Sequence, residues 1–415
     1  MIGVILAGGY GIRLLPITLR TPKCLLPIAG KPNIYYLIRL LKGAGIKQIF
    51  ISMNINQLKI REYLGSGERF GVKLKYIIEK TRGEEDKLGT VGALQNLVEK
   101  IGVPKECILV GGDNFVFGLD LSRMREYAGD GVARIVLYYL SDKSKVSQVG
   151  VVELDKQSGR ILRIQEKPRA EDAISRVACT LFYHLRARFF EDCLKEYIRM
   201  KRLKGERADV IGKLWEQFVA SIPVYGYLFK GIWGDIGTPK SYLEINRAAM
   251  GLIKGRISRG ASLAKEGKLK GEVQIARGAR IEKGVEIRGP VMIERNCWVR
   301  KGVKVGPYVH LMHGSEIGEG CNISSSIIFE GVRIGRDSSL KGCIVDGKAI
   351  IGSEVEIQPF SILGYGCKIG NGSKVLRSSK IWPKLSIGSD SLIRGEITCE
   401  LLGEMAELRR SCYWR

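Results

Sequence analysis

Up to about residue 250, short aliphatic runs alternate with stretches of helical spacing. The runs "IGVILA" (2–7), "KQIFISMN" (47–54), "VKLKYIIE" (72–79), "CILVGGD" (107–113) and "ARIVLYYL" (133–140) are rich in β-branched and aliphatic residues. Strands buried on both faces of a parallel sheet have this composition. Between them Ile34, Leu37, Ile38 and Leu41, and then Thr90, Leu94, Leu97 and Val98, recur at the three- and four-residue spacing of one helix face. Strand–helix alternation predicts an α/β domain with a mostly parallel sheet. Ligands of such sheets bind beyond the carboxyl ends of the strands, where the loop after the first run leaves.

From residue 275 the period changes to six. Ile275, Ile281, Ile287, Ile293, Val299, Val305, Leu311, Ile317 and Ile323 keep one register, which resumes after two slips at Val345 and continues through Ile351, Ile357, Leu363, Ile369, Val375, Ile381 and Ile387 to Ile393. Four residues after most of these stands a small or aliphatic side chain, as at Ala279, Val285, Cys297, Ser315, Cys321 and Cys367. Neither an amphipathic helix nor an alternating strand repeats every six residues. A triangular β-helix does, with one hexapeptide per side and roughly 18 residues per coil. Stretches such as "IGEGCN" and "IGNGS" suit corners that need positive φ. The boundaries expected are 1–250 for the first domain, 251–272 for a linker, 273–398 for the β-helix and 399–415 for a tail that could cap it or contact another subunit.

Charge narrows the partners. The chain carries a formal +24 at pH 7, but its bases are scattered, and the densest run, "RMKRLKGER" (199–207), reads as a solvated helix end. Anionic small molecules account for that sign better than nucleic acid, which is not expected as a partner. Ten cysteines form no C-x-x-C pair and only three histidines exist, so a structural zinc site is not expected. Cys297, Cys321 and Cys367 fall at inward positions of their hexapeptides and read as core residues. No signal peptide and no run long enough to cross a membrane is present, so a cytoplasmic protein with reduced thiols and no membrane partner is expected.

The chemistry starts in "ILAGGYGIRLLPITLRTPKCLLPIAGKP" (5–32). Leu14 occupies the place of the third glycine in a dinucleotide fingerprint, and no P-loop sequence is present outside a chance match in the repeats. What remains is a glycine-rich turn after a strand, whose amides can converge on phosphate oxygens, with Arg13 and Lys23 to add charge. This segment resembles the signature of the sugar-1-phosphate nucleotidylyltransferases. Further matches follow in that family's order: "LGTVGAL" (88–94), "GGDN" (111–114), "VGVVELD" (149–155), "QEKP" (165–168) and "WGDIGTPKSYLEIN" (233–246). The C-terminal repeats are similar to those of the family's mannose- and glucose-1-phosphate branches.

The resemblance implies a Rossmann-like nucleotidyltransferase domain followed by a left-handed β-helix of hexapeptide repeats. It also implies a reaction, in which a sugar 1-phosphate attacks the α-phosphorus of a nucleoside triphosphate and pyrophosphate leaves. Leu6, Ala7, Gly8, Gly9, Gly11, Gly89, Thr90 and Gly112 would line the nucleotide, and Arg13 and Lys23 would neutralise its departing phosphates. Lys167 would hold the sugar phosphate, with Gly150, Glu166 and Thr180 around the sugar. Asp113 and Asp235 would hold Mg²⁺. No covalent nucleophile is required, since such transfers depend on positioning and charge neutralisation.

Two departures are visible. Ile12 stands where relatives carry Thr or Ser, and "ACTLFYH" (178–184) replaces their Asn-x-Gly, which leaves the sugar open. Glu79 stands near the place where pyrimidine-using relatives often carry Gln. It either accepts from the guanine N1–H and N2–H₂ edge or faces solvent, and on the first reading the chain leans towards guanylyl transfer to mannose 1-phosphate over uridylyl or thymidylyl transfer to glucose 1-phosphate. Two alternatives are a bifunctional enzyme with an acyltransferase β-helix using His310 or His313, and a catalytically silent subunit. Retention of all five charged residues argues against silence. The repeats are expected to serve homo-oligomerisation.

Overall fold

A computed structural model describes residues 1–126 and 131–398, so the expected tail, 399–415, lies outside the described residues. The chain divides into two compact units. One holds Met1–Tyr10, Lys23–Leu25 and Asn33–Gly234, and the other holds Gly11–Pro22, Leu26–Pro32 and the residues from Asp235 onward.

The first unit is built on β1 (Ile2–Leu6), β2 (Gln48–Asn54), β3 (Lys73–Glu79) and β4 (Glu106–Gly111), which lie side by side in the order β4-β1-β2-β3, all parallel. Alternate side chains of a strand face opposite sides, and both sides here are covered. Val4 and Leu109 join the cluster packed by Val91, Leu94 and Leu97 of α2 (Gly89–Ile101). Ile5, Ile108 and Val110 join the other, packed by Ile34, Leu37, Ile38 and Leu41 of α1 (Asn33–Gly43). Apolar continuity along the strands and the helical spacing between them thus have one cause, a sheet covered by helices on both faces.

β5 (Asn114–Phe117) leaves the sheet, and beyond β4 the sheet changes sense. β6 (Ala133–Tyr139), β7 (Gly150–Leu154), β8 (Ile161–Glu166), β9 (Val177–Arg186) and β10 (Val224–Leu228) extend it to nine strands. β9 runs antiparallel to β4, β6 and β7, and β8 antiparallel to β7. The "ARIVLYYL" run, expected among the parallel strands, is therefore antiparallel to β9 and parallel only to β10. A strand buried on both faces has the same apolar pattern whichever way its neighbour runs, so direction was not written in it. β11 (Ile232–Asp235) pairs with β5 in a separate ladder. The basic run 199–207 straddles the end of the helix Lys195–Leu203, as expected.

In the second unit the six-residue period becomes three all-parallel sheets of nine, eight and eight strands, the architecture of a left-handed β-helix of hexapeptide repeats. Gln274, Met292 and His310 stand one above another in successive coils, and the two register slips fall between His310 and Ile327 and between Ile327 and Ile344. The inward residues, including Ala279, Val285, Ser315 and Cys321, are fully buried. The stack begins at Arg256, inside the segment read as a linker, since Arg256–Ile257 already pairs with Gln274–Ile275. Those early strands expose most of their side chains, so they lack the apolar signal that marks the later coils.

Helix α3 (Ile211–Phe218) belongs to the first unit and α4 (Pro239–Met250) to the second. A capping box between Thr238 and Ser241, with Pro239 in the first turn, sets where α4 starts. Tyr242 of α4 donates its hydroxyl to the Pro27 carbonyl at 2.8 Å, and the Asn246 side-chain oxygen accepts from the Ala29 N–H at 2.9 Å.

Candidate active site

Four parallel strands end together. Leu6, Asn54, Glu79 and Gly111 close β1, β2, β3 and β4, and the residues after them form one rim. Leu6 is joined to Gly112 by the Gly112 N–H donating to its carbonyl at 2.7 Å, and Ala7 N–H donates to the Ser52 carbonyl at 2.7 Å. Asn54 Nδ2 donates to the Gly8 carbonyl at 3.1 Å and Gln57 Nε2 to the Gly9 carbonyl at 2.8 Å. A planar trans peptide points its N–H away from its C=O, so the N–H groups of Gly9 and Tyr10 face the opposite side. The Tyr10 hydroxyl, donating to Thr81 Oγ1 at 2.8 Å, ties the turn to the far rim.

Two of the glycines are demanded by what lies against them. A Cβ on Gly8 would stand 2.5 Å from the Glu79 carboxylate, and one on Gly112 would stand 2.6 Å from the Leu6 carbonyl oxygen. A Cβ on Gly9 would meet nothing within 4 Å, which leaves room that the protein itself does not fill. Gly89 enters α2 at φ +66, with its hydrogen against the Asp209 carbonyl, and Thr90 is the next residue of that helix.

Glu79 does not face solvent. It is 4% exposed, lies beneath Gly8, and accepts from the Ser52 hydroxyl at 2.7 Å. Burial raises its carboxyl above the ordinary value, and the Ser52 hydrogen bond only partly opposes this.

Lys23 and Asp113 form the charged centre of the first unit, with Nζ 2.5 Å from Oδ2. Asn114 Nδ2 donates to the other Asp113 oxygen at 2.8 Å, and Trp233 Nε1 donates to Asn114 Oδ1 at 2.9 Å. Asn33, wholly buried at the start of α1, donates to the carbonyls of Gly112 and Asn114 and so fixes the backbone on both sides of Asp113. Burial opposes ionisation of Asp113, but the Lys23 ammonium outweighs it and holds the carboxyl below the usual range. The Asp113 side chain stays about one-third exposed, so an ionised carboxylate is available to a cation. Among the described residues no group of three or more Asp, Glu, His or Cys side chains converges. Magnesium, which takes few protein carboxylates and completes its shell with water and phosphate, fits such a donor set better than a metal needing a full protein cage.

The second unit holds its own acid–cation meeting. A Cβ on Gly237 would lie 2.4 Å from Asp235 Oδ2 and 2.7 Å from Arg13 Nη2. Only glycine leaves that spot open to both groups. Gly11, at φ +67, starts the 3₁₀ turn Ile12–Leu14 that carries Arg13.

Around the expected sugar pocket, Glu166 closes β8 opposite Gly150 of β7. Its carboxylate stands where a Cβ on Gly212 would have to be, and 2.9 Å from where one on Gly150 would be. Glu216 of α3 accepts from the Glu166 N–H at 2.5 Å. Burial raises the Glu166 carboxyl, with Lys167 and Lys213 opposing and Glu216 adding to the rise. Lys167 takes φ +50, its Nζ 3.8 Å from Glu166 Oε1, and is more than half exposed. Thr180 is placed elsewhere: it is 1% exposed inside the sheet, and its hydroxyl donates to the Val136 carbonyl at 2.8 Å. Sequence reasoning missed Ser52, Asn54, Gln57, Asn33, Gly212 and Glu216. None lies in a glycine-rich or charged motif, and each acts through a residue distant in sequence.

In the β-helix, His310 is fully buried with Nε2 2.8 Å from Glu294 Oε1, and His313 Nδ1 is 3.0 Å from the Arg295 carbonyl.

Residues 2–250 match the family model described as nucleotidyl transferase, and residues 287–398 match the GMPPB C-terminal domain. The low-salt glycan biosynthesis nucleotidyltransferase Agl11 of Haloferax volcanii is 32% identical, over 95% of this chain and all of its own length. The bifunctional protein GlmU of Methanococcus maripaludis (strain C5) is 30% identical, over 95% of this chain and 93% of its own. The UTP–glucose-1-phosphate uridylyltransferase of Synechocystis is also 30% identical, over 60% of this chain and 63% of its own length. A crystal structure from Bacillus anthracis, assigned as a glucose-1-phosphate thymidylyltransferase, superposes with a TM-score of 0.52 at 27% identity, over 62% of this chain and 98% of that one. The chain belongs to the nucleotidyl transferase family and is an enzyme of the sugar-1-phosphate nucleotidylyltransferase superfamily.

Proposed function

We propose that this enzyme transfers a guanylyl group from GTP to mannose 1-phosphate, releasing pyrophosphate, with Mg²⁺ as its metal. The observation that carries this reading is the buried Glu79 carboxylate beneath the glycine turn, a pure acceptor while ionised, matched to the N1–H and N2–H₂ donors of guanine. The match of residues 287–398 to the GMPPB C-terminal domain supports it.

The obstacle is electrostatic. Each unit pair of like charge at about 4 Å and an effective dielectric near 20 costs about 4 kcal/mol, and a phosphate anion must approach a polyanion. A magnesium ion held by Asp113 and Asp235 would supply charge neutralisation at the phosphates. The protein's own part falls to Lys23, paired with Asp113 in the free enzyme, and to Arg13, which with Asp235 borders Gly237; each is a donor to phosphate oxygens in the complex. Lys167 holds the attacking sugar phosphate, and Glu166 orients sugar hydroxyls beside it. A phosphate oxygen of the sugar forms the new bond to the α-phosphorus as the bond to the β-phosphate oxygen breaks. No proton transfer is needed between two ionised phosphates.

A pyrophosphate-release screen of GTP, UTP, dTTP, ATP and CTP against mannose, glucose, galactose and N-acetylglucosamine 1-phosphates tests this. GTP with mannose 1-phosphate should be fastest, chelation with EDTA should stop turnover, and excess Mg²⁺ should restore it. A faster pyrimidine pair overturns the substrate assignment, and turnover of no pair overturns the reading altogether.

The end-to-end likeness to GlmU favours a second reading in which the β-helix adds acyl transfer. Against it, His310 is fully buried against Glu294; His313 is exposed, and its Nδ1–H on the Arg295 carbonyl leaves Nε2 open, so of the two it is the base that the second reading would use. Acetyl-CoA consumption with hexosamine 1-phosphate decides between the two readings. Homo-oligomerisation through the β-helix is part of the proposal and is read from the mass of the protein in solution.

A further inference from the structure

Residues Gly11–Pro22, the centre of the signature motif, belong to the compact unit of the β-helix and not to that of the parallel sheet. Leu14, Ile17, Thr18 and Leu19 of this segment are buried, and Thr18 Oγ1 donates to the Gly11 carbonyl at 2.9 Å, so the segment folds on itself into a short arm. Two residues from the repeats hold that arm near its two ends. Tyr365, at the corner after Ile362–Leu363, stacks against Arg20, with the guanidinium carbon 3.3 Å from the ring centre. Lys380, one coil further on and paired with Ile362, donates from Nζ to the Arg13 carbonyl at 3.4 Å. The next signature stretch is gripped in the same way: a Cβ on Gly30 would lie 2.7 Å from Met292 Cε.

We propose that Tyr365 and Lys380 are positioning residues for the phosphate-binding arm, so that the β-helix takes part in nucleotide binding through Arg13 and Arg20. Hexapeptide packing does not require these side chains, because the inward positions of their coils are Leu363 and Ile381. The hydrogen bonds within the arm, Leu14 N–H to the Gly11 carbonyl and Leu19 N–H to the Pro16 carbonyl among them, are local to its two 3₁₀ turns, and the direction of the Arg13 guanidinium depends on where its backbone is held. A planar guanidinium on an aromatic face resists both sliding and tilting, which a lone hydrogen bond does not. The proposal rests on the reading that Arg13 neutralises the triphosphate, and the experiment separates the two.

Full-length Tyr365→Ala, Tyr365→Phe, Lys380→Ala and Lys380→Arg are compared with the unaltered chain. In Tyr365→Ala the KM for the triphosphate should rise about fivefold, the size expected from losing one half-buried cation–π contact, with the KM for sugar 1-phosphate unchanged. Tyr365→Phe, which keeps the ring, should restore it, as Lys380→Arg should restore what Lys380→Ala loses. Independently of any activity, amide hydrogen exchange at 11–22 should quicken in both alanine variants while exchange at 327–357 stays as it was. Unchanged exchange at 11–22 overturns the proposal. So does an unchanged triphosphate KM in an active enzyme, or a Phe variant as impaired as the Ala variant. Faster exchange in a chain that turns over no substrate pair would sustain the holding role and refute only the assigned reaction.

Discussion

Asp113 and Glu79 are both carboxylates at the ends of parallel strands, and their surroundings drive them apart. Lys23 keeps Asp113 ionised to lower pH than usual against the cost of its burial, whereas burial makes Glu79 hold its proton to higher pH than usual. If Glu79 reads guanine as a carboxylate, GTP kcat/KM falls as pH drops through its raised pKa, while Asp113 is still charged. Glu79→Gln, which carries its own N–H donors, should lower GTP kcat/KM by roughly tenfold or more, flatten that acid limb and favour UTP. Parallel pH profiles for the two triphosphates check this, and an unaltered acid limb in the variant removes Glu79 from the base pocket. Asp113→Asn should abolish turnover with the fold intact by circular dichroism. Gly112→Ala forces a Cβ against the Leu6 carbonyl and should destabilise the first unit by about 1–3 kcal/mol in urea titrations.

At the scale of elements, the sheet carries a titration of its own. His184 on β9 is fully buried, and burial pushes its imidazole down to about 4 despite Glu106 nearby. The unfolded chain then takes up the proton first, near pH 6.5, so stability falls as pH drops from about 6.5 to about 4, by about 3 kcal/mol in all. His184→Gln should narrow the stability gap between pH 7 and pH 4.5 by a comparable amount, whatever it does to stability at neutral pH. The elements most legible in the sequence were those with a strong period. The strands of the parallel core, the helix faces of α1 and α2 and nearly every coil from residue 273 follow directly from residue spacing. Strand direction in β6–β9, and the coil at 256–270, were not legible, because an apolar run does not encode its partner's sense and an exposed coil has no apolar period to read.

Over the whole molecule, the signature motif is divided between two compact units, with residues 1–10 and 23–25 in one and 11–22 and 26–32 in the other. A chain cut after residue 253 loses Tyr365, Lys380 and Met292, the partners of Arg20, Arg13 and Gly30. Limited proteolysis should then cleave it first within 11–32, at sites that the full chain protects. The thiols report the opposite condition. Cys24, Cys193, Cys297, Cys343 and Cys367 are pushed up to about 12 by burial, and Cys321 to about 11. None of the eight described thiols should react with an aromatic disulfide reagent at pH 8 until denaturant is added. No described helix is long and apolar enough to cross a membrane.

What the residue order determined alone is whatever depends on spacing along the chain. That covers the alternating α/β half, the six-residue repeat and the glycine-rich turn with Lys23, whereas Asp113, Lys167 and Asp235 became candidates through the resemblance of their motifs to the family's. Tertiary structure decided which partner each of those groups has. It buried Thr180 and gave its hydroxyl to Val136, put Glu79 under Gly8, set Glu216 against Glu166, and attached residues 11–22 to the β-helix. Periodicity is a local property written in neighbouring residues, whereas burial, charge pairing and the hold on a loop depend on atoms brought together from places that no spacing relates.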